Sequence, residues 1–229
     1  MVEGAKDVVM SDPRSSRTGD PAPPSSIVGE VQPFDPGPSV AAGAAALQET
    51  GSDFALIGGL ALEAWGIPRA TKDADFAVPV GAAEKAAEVL RGPATEVRPL
   101  RIGGVGLRDS QRGLRIDLVD RRFHFAPLFH EAIQDARTSG RKARVAGHEV
   151  SLASLEFLLA MKLVSGEPKD EIDARRILQR EALGYRVARD IVERHLGAAS
   201  ANRLDALARD AGRPEVARAR LYRHGEEPE

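Results

Sequence analysis

Asp73 and Asp75 stand one residue apart in the segment Phe54–Val78, FALIGGLALEAWGIPRATKDADFAV. In a strand, residues i and i+2 share a face. The two carboxylates then project together, while Ala74, Phe76 and Val78 point into a core. Like charges held side by side repel unless something positive lies between them. A divalent cation with oxygen ligands answers that need, and Mg²⁺ typically takes one or two carboxylates plus phosphates. Upstream, an apolar run ends in the pair Gly58-Gly59, where bare backbone can approach a phosphate. A glycine pair followed by an acidic clamp is the chemistry of a nucleoside triphosphate (NTP) site.

A third acid, Asp117, lies in Leu114–Val119. Leu114, Ile116 and Leu118 take one face of that strand, which sends Asp117 to the other beside Arg115. Three carboxylates from two adjacent strands can hold two cations about 3.5–4 Å apart, the arrangement for in-line displacement at phosphorus. In such a site Asp117 is a metal ligand or a general base. Arg69 offers a planar fork for phosphate oxygens, and Lys162, at the edge of a helical apolar stripe, a point charge.

Gly58-Gly59, then Arg69-x-Thr71-x-Asp73-x-Asp75, then Asp117 in a hydrophobic strand, resembles the nucleotidyltransferase superfamily related to polymerase β. The run Ser154–Leu163 with its Lys162, followed by Pro168-Lys169-Asp170 and Asp173, resembles the abortive-infection AbiEii/AbiGii toxin-like branch, in which Gly-Gly at the first motif is common. The likeness spans roughly residues 45–180. It implies Mg²⁺, two ions, on Asp73, Asp75 and Asp117; triphosphate contacts from Gly58, Gly59, Arg69 and Thr71; and a nucleotide pocket lined from the helical side by Lys162, Lys169 and Asp170. The implied activity moves a nucleoside monophosphate from an NTP to an acceptor hydroxyl, on an RNA 3′ end such as tRNA or on a protein, in a toxin-like role with a cognate antitoxin. A non-catalytic nucleotide-holding or partner subunit, and an adenylyltransferase acting on a small molecule such as an antibiotic, are the alternatives.

The elements that position these residues alternate. The pattern predicts a helix over Val40–Glu49, a strand over Phe54–Ile57, a helix over Leu60–Trp65, a strand over Ala74–Val80, a helix over Ala82–Leu90 and the strand Leu114–Val119. Strands Lys142–Ala146 and Glu149–Leu152 flank a turn at Gly147-His148. From Ser154 the period is helical, over Leu155–Val164, Glu171–Gln179, Val187–Leu196, Ala201–Ala211 and Glu215–Tyr222. The expected class is α/β (α+β): a nucleotidyltransferase fold with a small mixed sheet flanked by helices, over residues 39–152, then a helical C-terminal region over 153–229. Residues 1–38 carry seven of the 15 prolines and no apolar period, the composition of a disordered leader. Trp65 reads as core, Asp120 as a strand-end acid, and Arg213, Arg218, Arg220 and Arg223 as a solvated helix face.

Composition sets the outer bounds. The 229 residues carry a net charge of −2, so no global basic field points to nucleic acid. With no cysteine, disulfides and thiolate metal sites are excluded, which fits a reducing, cytoplasmic setting. No apolar run nears the ~20 residues of a membrane span.

Overall fold

The computed structural model describes residues 35–213. The leader up to residue 34, the helix expected at Glu215–Tyr222 and Arg218, Arg220 and Arg223 lie outside them. Helix α1, Gly37–Glu49, begins inside the last two residues assigned to the leader. The Asp35 carboxylate accepts the Gly37 amide at 2.8 Å, and Pro38 sits in the first turn, where its missing N–H costs nothing. Then follow β1 (Ala55–Ile57), α2 (Gly58–Ala64), β2 (Ala74–Ala77), α3 (Ala82–Leu90), β3 (Thr95–Pro99), β4 (Val105–Asp109) and β5 (Leu114–Val119). A 3₁₀ turn at Phe123–Phe125 leads into α4 (Ala126–Thr138), the hairpin β6 (Lys142–Val145) and β7 (His148–Ser151), and helices α5 (Leu155–Ser165), α6 (Pro168–Leu178), α7 (Tyr185–Leu196) and α8 (Ala198–Asp210).

The main sheet is mixed, with order β1-β2-β5-β4-β3. Among its neighbouring strands β2 and β5 run parallel and the other three pairs antiparallel. Their register sets Ala74 beside Ile116 and Phe76 beside Leu118, four fully buried residues on one face, and Asp75 beside Asp117 on the other. Helix α1 covers the apolar face: a side chain on Gly43 would collide with the Phe76 ring, and the Ser39 hydroxyl accepts the Arg115 amide at 2.9 Å. On the acidic face α4 packs against β1 and β2. The β7 end is tied to β1 by the Ala153 amide on the Leu56 carbonyl at 3.1 Å, and the Trp65 indole donates to the Ala153 carbonyl at 2.9 Å.

The expected class, a small mixed sheet flanked by helices and followed by a helical half, is the one found. Three elements escaped the sequence pattern. Strand β3 is a mostly exposed sheet edge and shows no apolar alternation. Strand β4 follows the Gly103-Gly104 turn, and its apolar alternation is limited to Val105 and Leu107, with Gly106 and Arg108 between and after them. Helix α4 was masked by Pro127, which sits harmlessly in its first turn, although Leu128, Phe129, Ala132, Ile133 and Ala136 keep a helical period and are buried. Strand β2 stops at Ala77 rather than Val80, because Pro79 has no amide for the ladder. The hairpin turn falls on Ala146-Gly147, not Gly147-His148, with φ of 47° and 85°, the left-handed pair a two-residue turn demands. Helix α6 starts at Pro168 and so takes in Lys169 and Asp170.

Asp109 closes the β4–β5 turn. It is buried and accepts the Gln111 amide at 3.1 Å, the Arg112 amide at 3.0 Å, Arg112 Nε at 2.8 Å and the Thr95 hydroxyl at 2.8 Å. Those donors, the Arg112 amide foremost, hold its carboxyl down at about 2 against an ordinary 3.8. A depressed pKa stabilises the fold above the unfolded value and ceases to do so as pH falls through the folded one. Asp109→Ala will therefore lower the melting temperature at neutral pH, and the gap to the parent will close as pH drops from 3.8 towards 2. A pH-independent gap in melts of the two proteins would show that packing, not charge, holds the turn.

Candidate active site

Strand β1 delivers the chain to Gly58, whose φ of 68° turns it straight into α2. A Cβ there would collide with Asp75 Oδ2, and one on Gly59 with the Thr71 side chain. The glycine pair is thus required by the close approach of the acids' own loop. Beside it, β2 aims Asp73 and Asp75 off the sheet, and the parallel pairing brings Asp117 alongside Asp75.

The three acids are not balanced alike. Arg108 Nη1 donates to Asp117 at 2.9 Å while its Nη2 lies 3.4 Å from Asp73, and Arg115 Nε donates to Asp73 at 2.9 Å. The Asp75 carboxylate has no hydrogen bond or ion pair among the described residues. Burial, then the charges of Asp117 and Asp73, push its carboxyl up to about 7 against the opposing pull of Lys162 and Arg108. Two unlike solutions to one repulsion stand together: arginines neutralise the outer acids, and a raised proton affinity relieves the inner one.

Helices α5 and α6 build the facing wall. Lys162 Nζ lies 2.7 Å from Asp170 and 2.8 Å from Asp173, both buried, and Arg69 Nε donates to the same Asp173 at 3.2 Å. Burial alone would raise the Asp170 pKa, but Lys162 and Ser165 hold it below the ordinary value. Lys169 stands at the rim, exposed and 3.0 Å from Glu167. Thr71 Oγ1 turns back to the Asp73 backbone at 3.4 Å.

All ten residues singled out in the sequence line one cleft of about 670 Å³: Gly58, Gly59, Arg69, Thr71, Asp73, Asp75, Asp117, Lys162, Lys169 and Asp170. Lys162 reaches it already held by two carboxylates rather than as a free ammonium. Sequence reasoning did not reach Arg108, because its strand was not visible. It placed Arg115 beside Asp117 without its bond to Asp73. Asp173 belongs to the sequence motif, and its place between Arg69 and Lys162 emerges from the fold. Arg101, Arg121, Phe125 and Phe129, at the far end of the cleft, were also missed.

The donor set suits a hard cation. It consists of carboxylate oxygens alone, and the innermost carries a strained charge that a cation would relieve. Among the described residues no three acidic or imidazole side chains converge as a ready-made cage. Asp73 and Asp117 instead turn to arginines.

No protein-family model matches the chain, and no curated protein matches it. Among solved structures, the solution structure of the antibiotic-resistance factor ANT(2'')-Ia is similar at 19% identity over 82% of this chain and 96% of that one, with a TM-score of 0.41. The crystal structure of ANT(2'')-Ia with adenylyl-2''-tobramycin is similar at 18% identity, over 75% and 95% of the two chains, with a TM-score of 0.43. An antigenic nucleotidyltransferase-like protein from Paracoccidioides brasiliensis is similar at 18% identity, over 72% and 91%, with a TM-score of 0.37.

Two measurements probe this electrostatic balance. Because the folded Asp75 binds its proton more tightly than the unfolded chain does, stability falls as pH rises from 3.8 to about 7. Asp75→Asn removes that loss. In chelator its melting temperature will exceed the parent's at about pH 8 and match it below the ordinary carboxylate value; a lower value at both ends would make Asp75 a structural residue. Lys162→Ala leaves the buried Asp173 with Arg69 and the buried Asp170 with Ser165 but no ion-pair partner, a loss of about 3–5 kcal/mol for a broken buried pair. Adding Asp170→Asn will recover part of it in denaturant melts. No recovery would mean that the lysine stem, not its charge, is what packs there.

Proposed function

We propose that the chain is a Mg²⁺-dependent nucleotidyltransferase that moves a nucleoside monophosphate from an NTP to an acceptor hydroxyl. The observation that carries this reading is the register of Asp75 with Asp117, with Asp73 alongside and Gly58 beneath, facing a cleft whose other wall carries Arg69, Lys162 and Lys169 among their own carboxylate partners. Asp73, Asp75 and Asp117 would hold the metal. Bound there, Mg²⁺ supplies charge neutralisation on the phosphates and lowers the pKa of the attacking hydroxyl.

The chain's own groups do the rest. Arg69 and Lys169 give positive charge to the triphosphate at the Gly58 end, and Lys162 holds the wall against which it lies. Asp117 takes the proton of the acceptor hydroxyl. The acceptor oxygen bonds to the α-phosphorus, the bond from that phosphorus to the β-bridging oxygen breaks, and pyrophosphate leaves with the electron pair. Asp75 supports this scheme best, as a carboxylate that is costly to ionise until a cation arrives. For the acceptor, the resemblance of the Lys162 helix and of Lys169-Asp170-x-x-Asp173 favours an RNA 3′ end such as tRNA, or a protein, and a toxin-like role opposed by an antitoxin. Among the described residues no helix is long and apolar enough to cross a membrane.

One feature favours a second reading. Arg108 bridges Asp73 and Asp117 much as a cation would, which suits a module that holds a nucleotide without turnover. Incubation of the full chain with each α-labelled NTP, Mg²⁺ and total RNA or lysate separates the two. Label in an acceptor with release of pyrophosphate, abolished by chelator and by Asp75→Asn, is the expected result. Mg²⁺-dependent NTP binding without release of pyrophosphate would establish the holding module instead. NTP binding equal with and without metal would overturn both.

A further inference from the structure

The cleft has two chemically different ends. Gly58, Gly59, Arg69 and Thr71 gather at one, since β1 runs antiparallel to β2 and Gly59 abuts Thr71. Arg121 lies at the other, four residues past Asp117 in the direction of Val78 and Pro79, about 13 Å along at strand rise. Its guanidinium stands 5.4 Å from the Phe125 ring centre and 5.8 Å from that of Phe129. Buried, Arg121 Nε has no hydrogen-bond partner, and no carboxylate pairs with the group among the described residues. Arg121 as a whole is partly exposed in the cleft, and a buried guanidinium nitrogen left without an anion beside it is costly. Arg101 lines the same cleft from the β3–β4 loop, also without an acid partner among the described residues, and Gly103 lets that loop lie directly on the Asp120–Arg121 backbone. Phe123, two residues beyond Arg121, is 88% exposed and held at φ 62°, a conformation unusual for a bulky side chain.

In-line displacement requires the attacking oxygen to approach from the side opposite the leaving pyrophosphate. With the triphosphate at the Gly58 end, the acceptor enters from the Arg121 end. We propose that Arg121, with Arg101, is the seat for a phosphate group carried by the acceptor, and that the acceptor is therefore anionic. This rests on the nucleotidyl-transfer reading for its orientation but not for its chemistry. Two guanidiniums offer more charge than a single carboxylate balances, and the forked donors match phosphate oxygens. The Phe125 ring, which lines the cleft, adds flat apolar surface of the kind on which a base or sugar beside that phosphate stacks. A polycationic acceptor would meet like charge here.

The test uses the full chain and two separate binding readouts. A labelled single-stranded oligoribonucleotide of about ten residues is followed by anisotropy, with a sugar monophosphate and an uncharged sugar as competitors. Mg²⁺–ATP binding is followed by calorimetry. Arg121→Gln will weaken oligonucleotide binding about tenfold or more and Arg101→Gln severalfold, with Mg²⁺–ATP affinity within about twofold of the parent. Competition by the sugar monophosphate assigns the seat to a lone phosphate group; competition only by unlabelled oligonucleotide assigns it to a phosphodiester chain. Undiminished oligonucleotide binding in Arg121→Gln overturns the proposal, as does an equal loss of Mg²⁺–ATP binding, which would put Arg121 at the donor end. Should Arg121→Gln fail to fold, Arg121→Lys decides: a severalfold loss supports a forked seat, and parent affinity overturns it. Oligonucleotide binding through Arg121 in a chain that binds no Mg²⁺–ATP would leave the seat standing and topple the transfer reading.

Discussion

The parallel pairing of β2 with β5 forces three carboxylates onto one side of one sheet. Everything nearby answers to that constraint. With Asp75 and Asp117 on directly neighbouring strands, their Cβ atoms stand roughly 5 Å apart, and Asp73 adds a third charge one pleat away. At that spacing full ionisation of all three is unfavourable without a compensating cation. The chain supplies Arg108 and Arg115 to the outer pair and leaves the inner acid uncompensated. Fold stability is thereby given up at the one position where an incoming cation would restore it. Such local cost is the ordinary mark of a site shaped for a ligand rather than for packing.

The same constraint explains what could be read from the sequence. Asp-x-Asp and the alternation around Asp117 report a strand period of two, and that period alone fixes which side each acid takes. The glycines were legible as a close approach, but the partner was not. Gly58 accommodates Asp75 itself, and only the antiparallel register of β1 with β2 makes that contact. Arg108 lay beyond reach for a related reason. Its role needs β4 laid against β5, and β4 offers only Val105 and Leu107 as an apolar alternation, too short to stand out after the Gly103-Gly104 turn. Arg115 shows the limit in reverse: its place two residues before Asp117 was plain, but its bond to Asp73 depends on a neighbouring strand. Local period is written in sequence; pairing between strands is not.

The helical wall is tied to the sheet by polar contacts around the cleft rim. Asp173 on α6 binds Arg69 from the loop before β2, and Arg176 on the same helix donates to the Pro68 carbonyl at 3.1 Å. The acids on α6 also hold Lys162 on α5, so one buried charge cluster joins two helices to the loop that precedes β2. Each member satisfies another, which is the condition under which buried charges are tolerated. Apolar contact alone would set the separation of wall and sheet loosely, since it has no preferred direction. Hydrogen-bonded charges do have one, and they fix the cleft's width on the side where Gly58 and Gly59 lie. The Arg121 end has no matching tie among the described residues: its guanidinium rests on rings and its loop neighbour Arg101 is exposed. Directional charge contacts thus set the cleft at the Gly58 end, while at the other end a guanidinium lies against two aromatic rings, a contact with far less directional preference.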